Sequence, residues 1–244
     1  MRCNAGAVFP GRSPHAFLFL AVLLLATMTP LMAAPPPPSV PAQPVIKDLG
    51  NQRYRIGAIL VDKAQQTFRV EGRLLRLEPP LEFLAVRKGG MKAYESLLEL
   101  DSDAIEFNLA CILIGLDEKK GKAPSFHFSP EPVEGTPVAI WVSWEADGKT
   151  VRMPAAKLLL QGDKLIDSDA WVYTGSIFAA DGTYLAQQDG TLVGFVHNPA
   201  SIIEHREGIA LGNYGDVLPR VSVLPAVGTP VTLEVRRLKT SPGQ

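Results

Sequence analysis

Short runs of alternating apolar and polar residues make up most of the chain, and polar turns or prolines separate them. The clearest run is Pro137–Glu145, in which every second residue from Val138 to Trp144 is large and apolar. Side chains two positions apart lie on the same face of a β-strand, so this run predicts a strand with one buried face. Similar runs recur from Tyr54 to Leu238, which predicts about ten short strands.

One segment has the helical period instead. Asp103 and Glu106 have the spacing of a capping box, and apolar residues then occupy nearly all sides of a helix that ends near Leu116. A helix that is apolar on nearly all sides is expected to be buried. The predicted fold class is therefore α+β, mainly β, with antiparallel short-strand sheets or a sandwich packed around one buried helix at about residues 103–116.

The N-terminus has the three-part pattern of a secretory signal peptide. Basic residues (Arg2, Arg12) precede an apolar run from Ala16 to Ala26, and small residues end at Ala33 before a proline tract. We expect residues 1–33 to be a cleaved signal peptide, 34–47 a Pro-rich spacer, 48–240 a single globular domain and 241–244 a tail. The alternative is an uncleaved N-terminal anchor, but the apolar run is shorter than a membrane-spanning helix needs.

Cleavage after Ala33 would leave 211 residues, with 22 basic and 25 acidic side chains and a net charge of −3. Without a basic cluster, nucleic acid is not an expected partner. Only Cys111 would remain after cleavage, so neither an internal disulfide nor an iron–sulfur cluster held by the chain's own thiolates is expected. We expect a periplasmic or extracellular protein with no stable membrane insertion after cleavage.

The residues with chemical potential are few. Tyr94 and Glu95 are candidate ligand-binding residues, and Glu95 could act as an acid or base if it is buried. The alternative is that Glu95 is a solvated residue on an edge strand. His197 and His205 are weak metal candidates, because no close ligand spacing accompanies them. We expect no metal, no cofactor and no catalytic residue.

Three aromatic residues are the other binding candidates. Trp141 lies on the strand face opposite Val138, and Trp171 and Tyr173 share a face of their own strand. If the two strands are neighbours, these rings could form an exposed stacking platform for a glycan. The alternative is that the rings fill the core, as large aromatic side chains commonly do.

Several stretches in order resemble the YdjY-like family of exported bacterial proteins. They are Leu81–Val86 with Tyr94–Leu98, the helix end Leu113–Leu116, the strand Pro137–Trp144, the segment Trp171–Ser176, and Gly228–Val231. The resemblance implies no established activity. It also implies a histidine before the glutamate of the fourth strand, where this chain has Tyr94, and that difference argues against metal or acid–base chemistry there.

These features together predict an exported, non-catalytic binding or accessory domain of the bacterial cell envelope, with an envelope protein or a glycan as partner. One alternative is a periplasmic enzyme or redox accessory protein that uses Tyr94 and Glu95 with a nearby histidine. Another is a polysaccharide-binding module that uses exposed aromatic residues.

Overall fold

The computed structural model describes residues 44–239, which form fifteen β-strands and two α-helices. The strands are, in chain order, β1 (Ile46–Gly50), β2 (Arg53–Ile56), β3 (Ile59–Asp62), β4 (Thr67–Leu74), β5 (Phe83–Arg87), β6 (Ser96–Leu100), β7 (Thr136–Ala146), β8 (Lys149–Pro154), β9 (Leu159–Gln161), β10 (Lys164–Leu165), β11 (Trp171–Tyr173), β12 (Thr191–Gly194), β13 (Ile203–His205), β14 (Val217–Pro219) and β15 (Pro230–Arg237). The helices are α1 (Ala104–Leu113) and α2 (Leu185–Asp189). The predicted signal peptide, most of the predicted spacer and the predicted tail lie outside the described residues.

Eight of these strands close into a β-barrel. Their order is β4, β15, β7, β11, β13, β12, β5 and β6, and β6 pairs again with β4. Neighbours in the barrel are antiparallel except for the parallel pairs β5–β6 and β12–β13. Strands β1 to β3 continue the sheet outward from β4, and β8 pairs with β7 outside the ring. Strands β10, β9 and β14 form a separate three-stranded sheet.

The barrel interior is filled by inward-facing side chains of its own strands. On β7, buried and partly exposed residues alternate as the sequence predicts. The strand register places Val142 of β7 beside Leu233 of β15, and Leu233 beside Val70 of β4. A barrel of eight strands has an interior that side chains alone can fill. The expectation of open sheets or a sandwich around a central helix is therefore wrong.

Helix α1 lies across one end of the barrel and is not buried on all sides. Phe107 on its inner face meets Phe68 of β4 edge to face, with the ring centroids 5.1 Å apart. On its outer face, Ile112 is 42% exposed. The predicted capping box is confirmed, because the Asp103 carboxylate accepts a hydrogen bond from the Glu106 N–H at 2.8 Å. The helix remains outside because the strands already fill the interior.

Gly72 lies where the barrel closes. It pairs with Val231 of β15 on one side and with Leu100 of β6 on the other. A Cβ atom at this position would collide with the main-chain oxygen of Glu99 and would lie 2.9 Å from the Cα atom of Leu100. The close approach of β6 to β4 therefore requires a residue without a side chain at this point.

We predict that Gly72→Ala lowers the free energy of unfolding by about 1–3 kcal/mol, because the added methyl group must push two main chains apart. Urea denaturation followed by circular dichroism measures the change. Glu71→Ala, at the exposed neighbouring position of β4, is the control and should change stability by less than about 0.5 kcal/mol. Equal stability of Gly72→Ala and the original protein would contradict the tight closure.

Candidate functional site

Two buried glutamates lie side by side at the barrel end opposite α1. Glu82 immediately precedes β5 and Glu95 immediately precedes β6, and these neighbouring strands are parallel. The Glu82 N–H donates a hydrogen bond to the Glu95 carbonyl oxygen at 2.9 Å, which fixes the two residues side by side. Each residue is only 2% exposed. Buried carboxylates require polar partners, so their surroundings show what this end of the barrel can do.

Lys92 is the cationic partner of Glu95. Its Nζ atom lies 2.7 Å from Glu95 Oε1, and the two residues are three positions apart around the short 3₁₀ helix Met91–Glu95. Burial lowers the pKa of Lys92, but the hydrogen bond to Glu95 and the negative charge of that carboxylate outweigh burial, so the pKa is raised above its ordinary value. Lys92 therefore keeps its positive charge at neutral pH, beside the buried Glu95 carboxylate.

His127 is the partner of Glu82. The His127 Nε2 atom lies 3.1 Å from Glu82 Oε2, and the His127 side chain is partly exposed to solvent. A carboxylate next to an imidazole can orient the ring and stabilise its protonated form. This arrangement places a partly exposed imidazole beside a buried carboxylate, in a contact that does not have hydrogen-bond geometry.

The loop that contains His127 is fastened to the barrel by His197. The Phe128 N–H donates a hydrogen bond to the His197 carbonyl oxygen at 2.8 Å, and His197 Nδ1 lies 2.7 Å from the Ser129 carbonyl oxygen. The other ring nitrogen of His197 lies 3.0 Å from the carbonyl oxygen of His205 in β13. His197 is fully buried, so it acts as an internal anchor that positions the loop.

Two exposed tyrosines border this group of charges. Tyr94 is 57% exposed and Tyr214 is 64% exposed. Partial desolvation and then the negative charges of Glu95 and Glu82 raise the pKa of Tyr214, so its hydroxyl lies within range of their electrostatic influence. We call this set of side chains the Glu82–Glu95 site, and it consists of Glu82, Lys92, Tyr94, Glu95, His127 and Tyr214.

The structure places the residues singled out from the sequence in different environments. Tyr94 and Glu95 belong to the Glu82–Glu95 site, and Glu95 is buried rather than solvated on an edge strand. His197 and His205 are both buried and contact main-chain carbonyl oxygens. Within residues 44–239, no three His, Cys, Asp or Glu side chains converge closely enough to hold a metal ion.

The three aromatic candidates do not form a common platform. Trp171 pairs with Val138 across the β11–β7 ladder, so its ring points into the barrel, and Tyr173 is likewise buried. Trp141 lies on the outer face of β7, where the Arg152 guanidinium lies 3.9 Å from the centre of its ring. Trp171 and Tyr173 thus fill the interior, as the alternative of core packing held, and they do not share an exposed surface with Trp141.

Sequence reasoning missed Glu82, Lys92, His127 and Tyr214 as members of one site. Glu82 had a signal, because it is a charged residue inside the apolar run Leu81–Val86. The other three had no local signal. His127 and Tyr214 lie on separate loops, and only the folded barrel brings those loops beside the two glutamates.

A third buried carboxylate, Glu204 in β13, has no exposed surface. Its Oε1 atom accepts a hydrogen bond from the Asn198 N–H at 3.0 Å, whereas Oε2 has no hydrogen-bond partner. A Cβ atom at Gly194 would lie 2.8 Å from Glu204 Oε1, so the missing side chain at Gly194 makes room for the carboxyl group. Burial outweighs the hydrogen bond from Asn198 and raises the pKa of Glu204 well above its ordinary value.

The fold and the site together define a small β-barrel domain with a polar site at one barrel end. A comparison with protein-family models matches the YdjY domain over residues 59–236. This match covers more than half of the 244 residues, so the chain belongs to the YdjY domain family, and the resemblance seen in the sequence is confirmed. Comparisons with curated proteins and with solved structures found no match. Neither α1 nor α2, the α-helices of residues 44–239, has the length and apolar character needed to cross a membrane.

We predict that the stability advantage of Glu204→Gln over the original chain grows as the pH rises above the ordinary carboxyl pKa of about 4.3. In the original chain the folded state keeps the Glu204 proton and the unfolded state releases it. Stability is therefore lost with rising pH until the raised folded pKa is reached, at up to about 1.4 kcal/mol per pH unit. Urea denaturation between about pH 5 and 8 measures the difference.

The exposed Glu145→Gln variant controls for the removal of a carboxylate, and its stability should follow that of the original chain at each pH. A stability difference between Glu204→Gln and the original chain that stays constant across the pH range would show that the folded protein does not hold the Glu204 proton.

Proposed function

We propose that this protein is an exported, non-catalytic binding or accessory domain of the bacterial cell envelope, and that it binds a partner protein through the Glu82–Glu95 site. The single observation behind this proposal is the combination of exposed tyrosines with buried, paired charges at one barrel end. The proposal joins that surface to the export signal expected from the sequence.

The composition of the site supports binding to a partner. Tyrosine is enriched among the residues that contribute most to protein–protein affinity, since it combines a large apolar ring with a hydroxyl group. Tyr94 and Tyr214 are large and exposed, and the Tyr94 hydroxyl lies 3.4 Å from the Nζ atom of Lys92, which is itself paired with Glu95. Fixed charges beside such rings give a partner both contact area and a defined orientation.

The shape of the site favours binding over catalysis. Enzyme sites are commonly concave and enclose much of a small substrate. Four clefts on residues 44–239 are lined by other residues, and none of these four includes Glu82, Glu95 or His127. None of these four clefts therefore gives the Glu82–Glu95 site the concave shape of an enzyme site.

A second function, acid–base chemistry in a periplasmic enzyme or redox accessory protein, is favoured by one specific contact. The 3.1 Å approach of His127 Nε2 to Glu82 Oε2 supplies the nearby histidine that the sequence left unidentified. In such an enzyme, His127 would transfer a proton to or from a bound substrate, and Glu82 would orient the imidazole.

Export is tested by the mass of the protein recovered from the envelope of a bacterial host. We predict that the intact mass corresponds to a chain that begins at Ala34, because signal peptidase cleaves after small residues such as Ala33. A variant with Ala33→Arg, which places a large charged residue at the cleavage site, is the control and should retain the leader. Recovery of the original chain at full length would instead support an anchored form.

Binding is tested with a double variant, Tyr94→Ala and Tyr214→Ala, in affinity capture from envelope extracts. We predict that the amount of the captured partner falls more than tenfold, because both rings contribute contact area. Phe178→Ala is the matched control, because Phe178 is a similarly exposed ring at the α1 end of the barrel, close to Tyr184. Capture by this variant should be unchanged.

Equal capture by the double variant and the original protein would contradict binding through this site. The acid–base function would replace the proposal if the purified protein converts a substrate and if Glu82→Gln and His127→Ala each abolish that conversion.

A further inference from the structure

Basic side chains are gathered on the outer face of the sheet that runs from β1 through β4 to β15. Lys47 of β1 pairs with Arg55 of β2, and Arg55 pairs with Leu60 of β3. Leu60 then pairs with Arg69 of β4, and Arg69 pairs with Glu234 of β15. Directly paired residues of antiparallel strands lie on the same side of a sheet, so this row of side chains shares one face.

Three further arginines belong to the same face. Arg53 lies two positions before Arg55 on β2, and Arg236 lies two positions after Glu234 on β15, so both point to the same side as that row. Arg152 of β8 reaches the face from beyond β7, with its Nη2 atom 3.0 Å from Glu234 Oε1. We call this surface the basic face, and its cations are Lys47, Arg53, Arg55, Arg69, Arg152 and Arg236.

The basic face carries more positive charge than its own carboxylates balance. Glu234 is the ion-pair partner of the arginines of β4, β8 and β15. The three cations on β1 and β2 form no ion pair with any carboxylate of residues 44–239. Asp62 and Glu71 are the other acidic side chains of these rows, so six cations stand against three carboxylates. The face is therefore positively charged, although the mature chain is expected to be acidic.

Exposed aliphatic side chains lie among these cations. Leu49 of β1 is 38% exposed and Leu60 of β3 is 43% exposed. Together with Arg53 and Arg69 they line a cleft of about 230 Å³. This volume is below the range of small-molecule sites, about 300–1,000 Å³, so the cleft does not suit an enclosed organic ligand. It suits a partner that offers an extended surface.

The opposite side of the same strands belongs to the hydrophobic core. Ile56 of β2 and Ile59 of β3 are fully buried, in the same core as Phe107 of α1. Buried apolar residues thus alternate with exposed ones along both strands, as they do in a sheet with one face covered and the other in water. The exposed leucines are consequently not required by the packing of the sheet.

The combination of positive charge and exposed leucines favours an anionic membrane over a soluble acidic polymer. The negative surface potential of anionic lipids attracts basic side chains close to the bilayer. Aliphatic side chains beside them can enter the boundary between headgroups and acyl chains, as they do in proteins that lie on a membrane. A soluble polymer such as polyglutamate would neutralise the cations but would give Leu49 and Leu60 no apolar partner.

We propose that the basic face docks on the surface of an anionic lipid bilayer. The headgroup phosphates contact the unpaired cations of β1 and β2, and Leu49 and Leu60 lie at the acyl boundary. The contact is peripheral, since the cations remain at the level of the headgroups. It goes beyond the proposed function, because it uses strands that do not form the Glu82–Glu95 site and leaves that site available to a partner protein.

Sedimentation with vesicles tests this proposal, with protein recovered from the envelope of a bacterial host. One set of vesicles contains equal parts of phosphatidylcholine and phosphatidylglycerol, and the other contains phosphatidylcholine alone. We expect the protein to sediment with the anionic vesicles and to stay in solution with the neutral ones. Binding should weaken when the ionic strength is raised from about 0.1 M to about 1 M, because the screening length falls from about 10 Å to about 3 Å.

The double variant Arg53→Gln and Arg55→Gln should weaken binding to the anionic vesicles about tenfold or more, because two unpaired cations are lost from the contact. The matched control is Lys119→Gln with Lys120→Gln, which removes two exposed cations from the 3₁₀ helix Glu118–Lys120, outside the basic face, and should bind as the original protein does. All these proteins have the same N-terminus, so a difference between them reports the basic face.

A further variant separates a membrane from an acidic polymer. Leu60→Thr removes apolar surface but no charge, so it should weaken binding to the anionic vesicles and leave binding to polyglutamate unchanged. The Tyr94→Ala and Tyr214→Ala double variant should still bind the vesicles, which keeps failure of this proposal distinguishable from failure of the proposed function.

Three outcomes would overturn docking on an anionic bilayer. The first is equal sedimentation with the neutral and the anionic vesicles, which would indicate adsorption without charge recognition. The second is equal weakening by the two double variants that remove cations, which would indicate general attraction. The third is unchanged vesicle binding by Leu60→Thr together with full displacement of the vesicles by polyglutamate, which would indicate a site for an acidic polymer.

Discussion

The pairing of β4 with β6 is the interaction on which the rest of the structure depends. It joins strands separated by the β5 segment and turns a twisted sheet into a closed ring, so that no barrel strand keeps an unpaired edge along its full length. Closure directs alternate side chains inward to fill the interior. Polar chemistry is consequently confined to the outer surface and to the two barrel ends, where the strands give way to loops.

The two barrel ends are completed in different ways. At one end, α1 packs an apolar face against the barrel through Phe107 and Phe68. At the other end, two parallel strands begin side by side and bring Glu82 and Glu95 together. Glu95 has the ammonium group of Lys92 nearby, and Glu82 has the imidazole of His127 nearby. Both carboxylates can therefore remain buried while these partners reach solvent.

The local features of this fold could be predicted from the sequence, and the long-range ones could not. The alternation along β7 and the Asp103 capping box depend on residues close together in the chain. Barrel closure depends on the approach of Glu99 to Gly72, for which no local pattern exists. Because the strands of the closed barrel fill its interior, α1 can only pack across one end. The apolar residues on nearly all sides of α1 therefore led to the wrong prediction that it is buried in the centre. For the same reason, Tyr94 and Glu95 could be named from the sequence, but His127 and Tyr214 could not.

The anchoring of the His127 loop by His197 has a consequence for recognition. A free loop would have to lose conformational freedom each time it met a partner, and that loss weakens association. Here Phe128 and Ser129 are already held against the barrel by His197, so most of the ordering occurs when the chain folds. His127 is thus preorganised, and the entropic penalty of arranging it falls on folding rather than on each encounter.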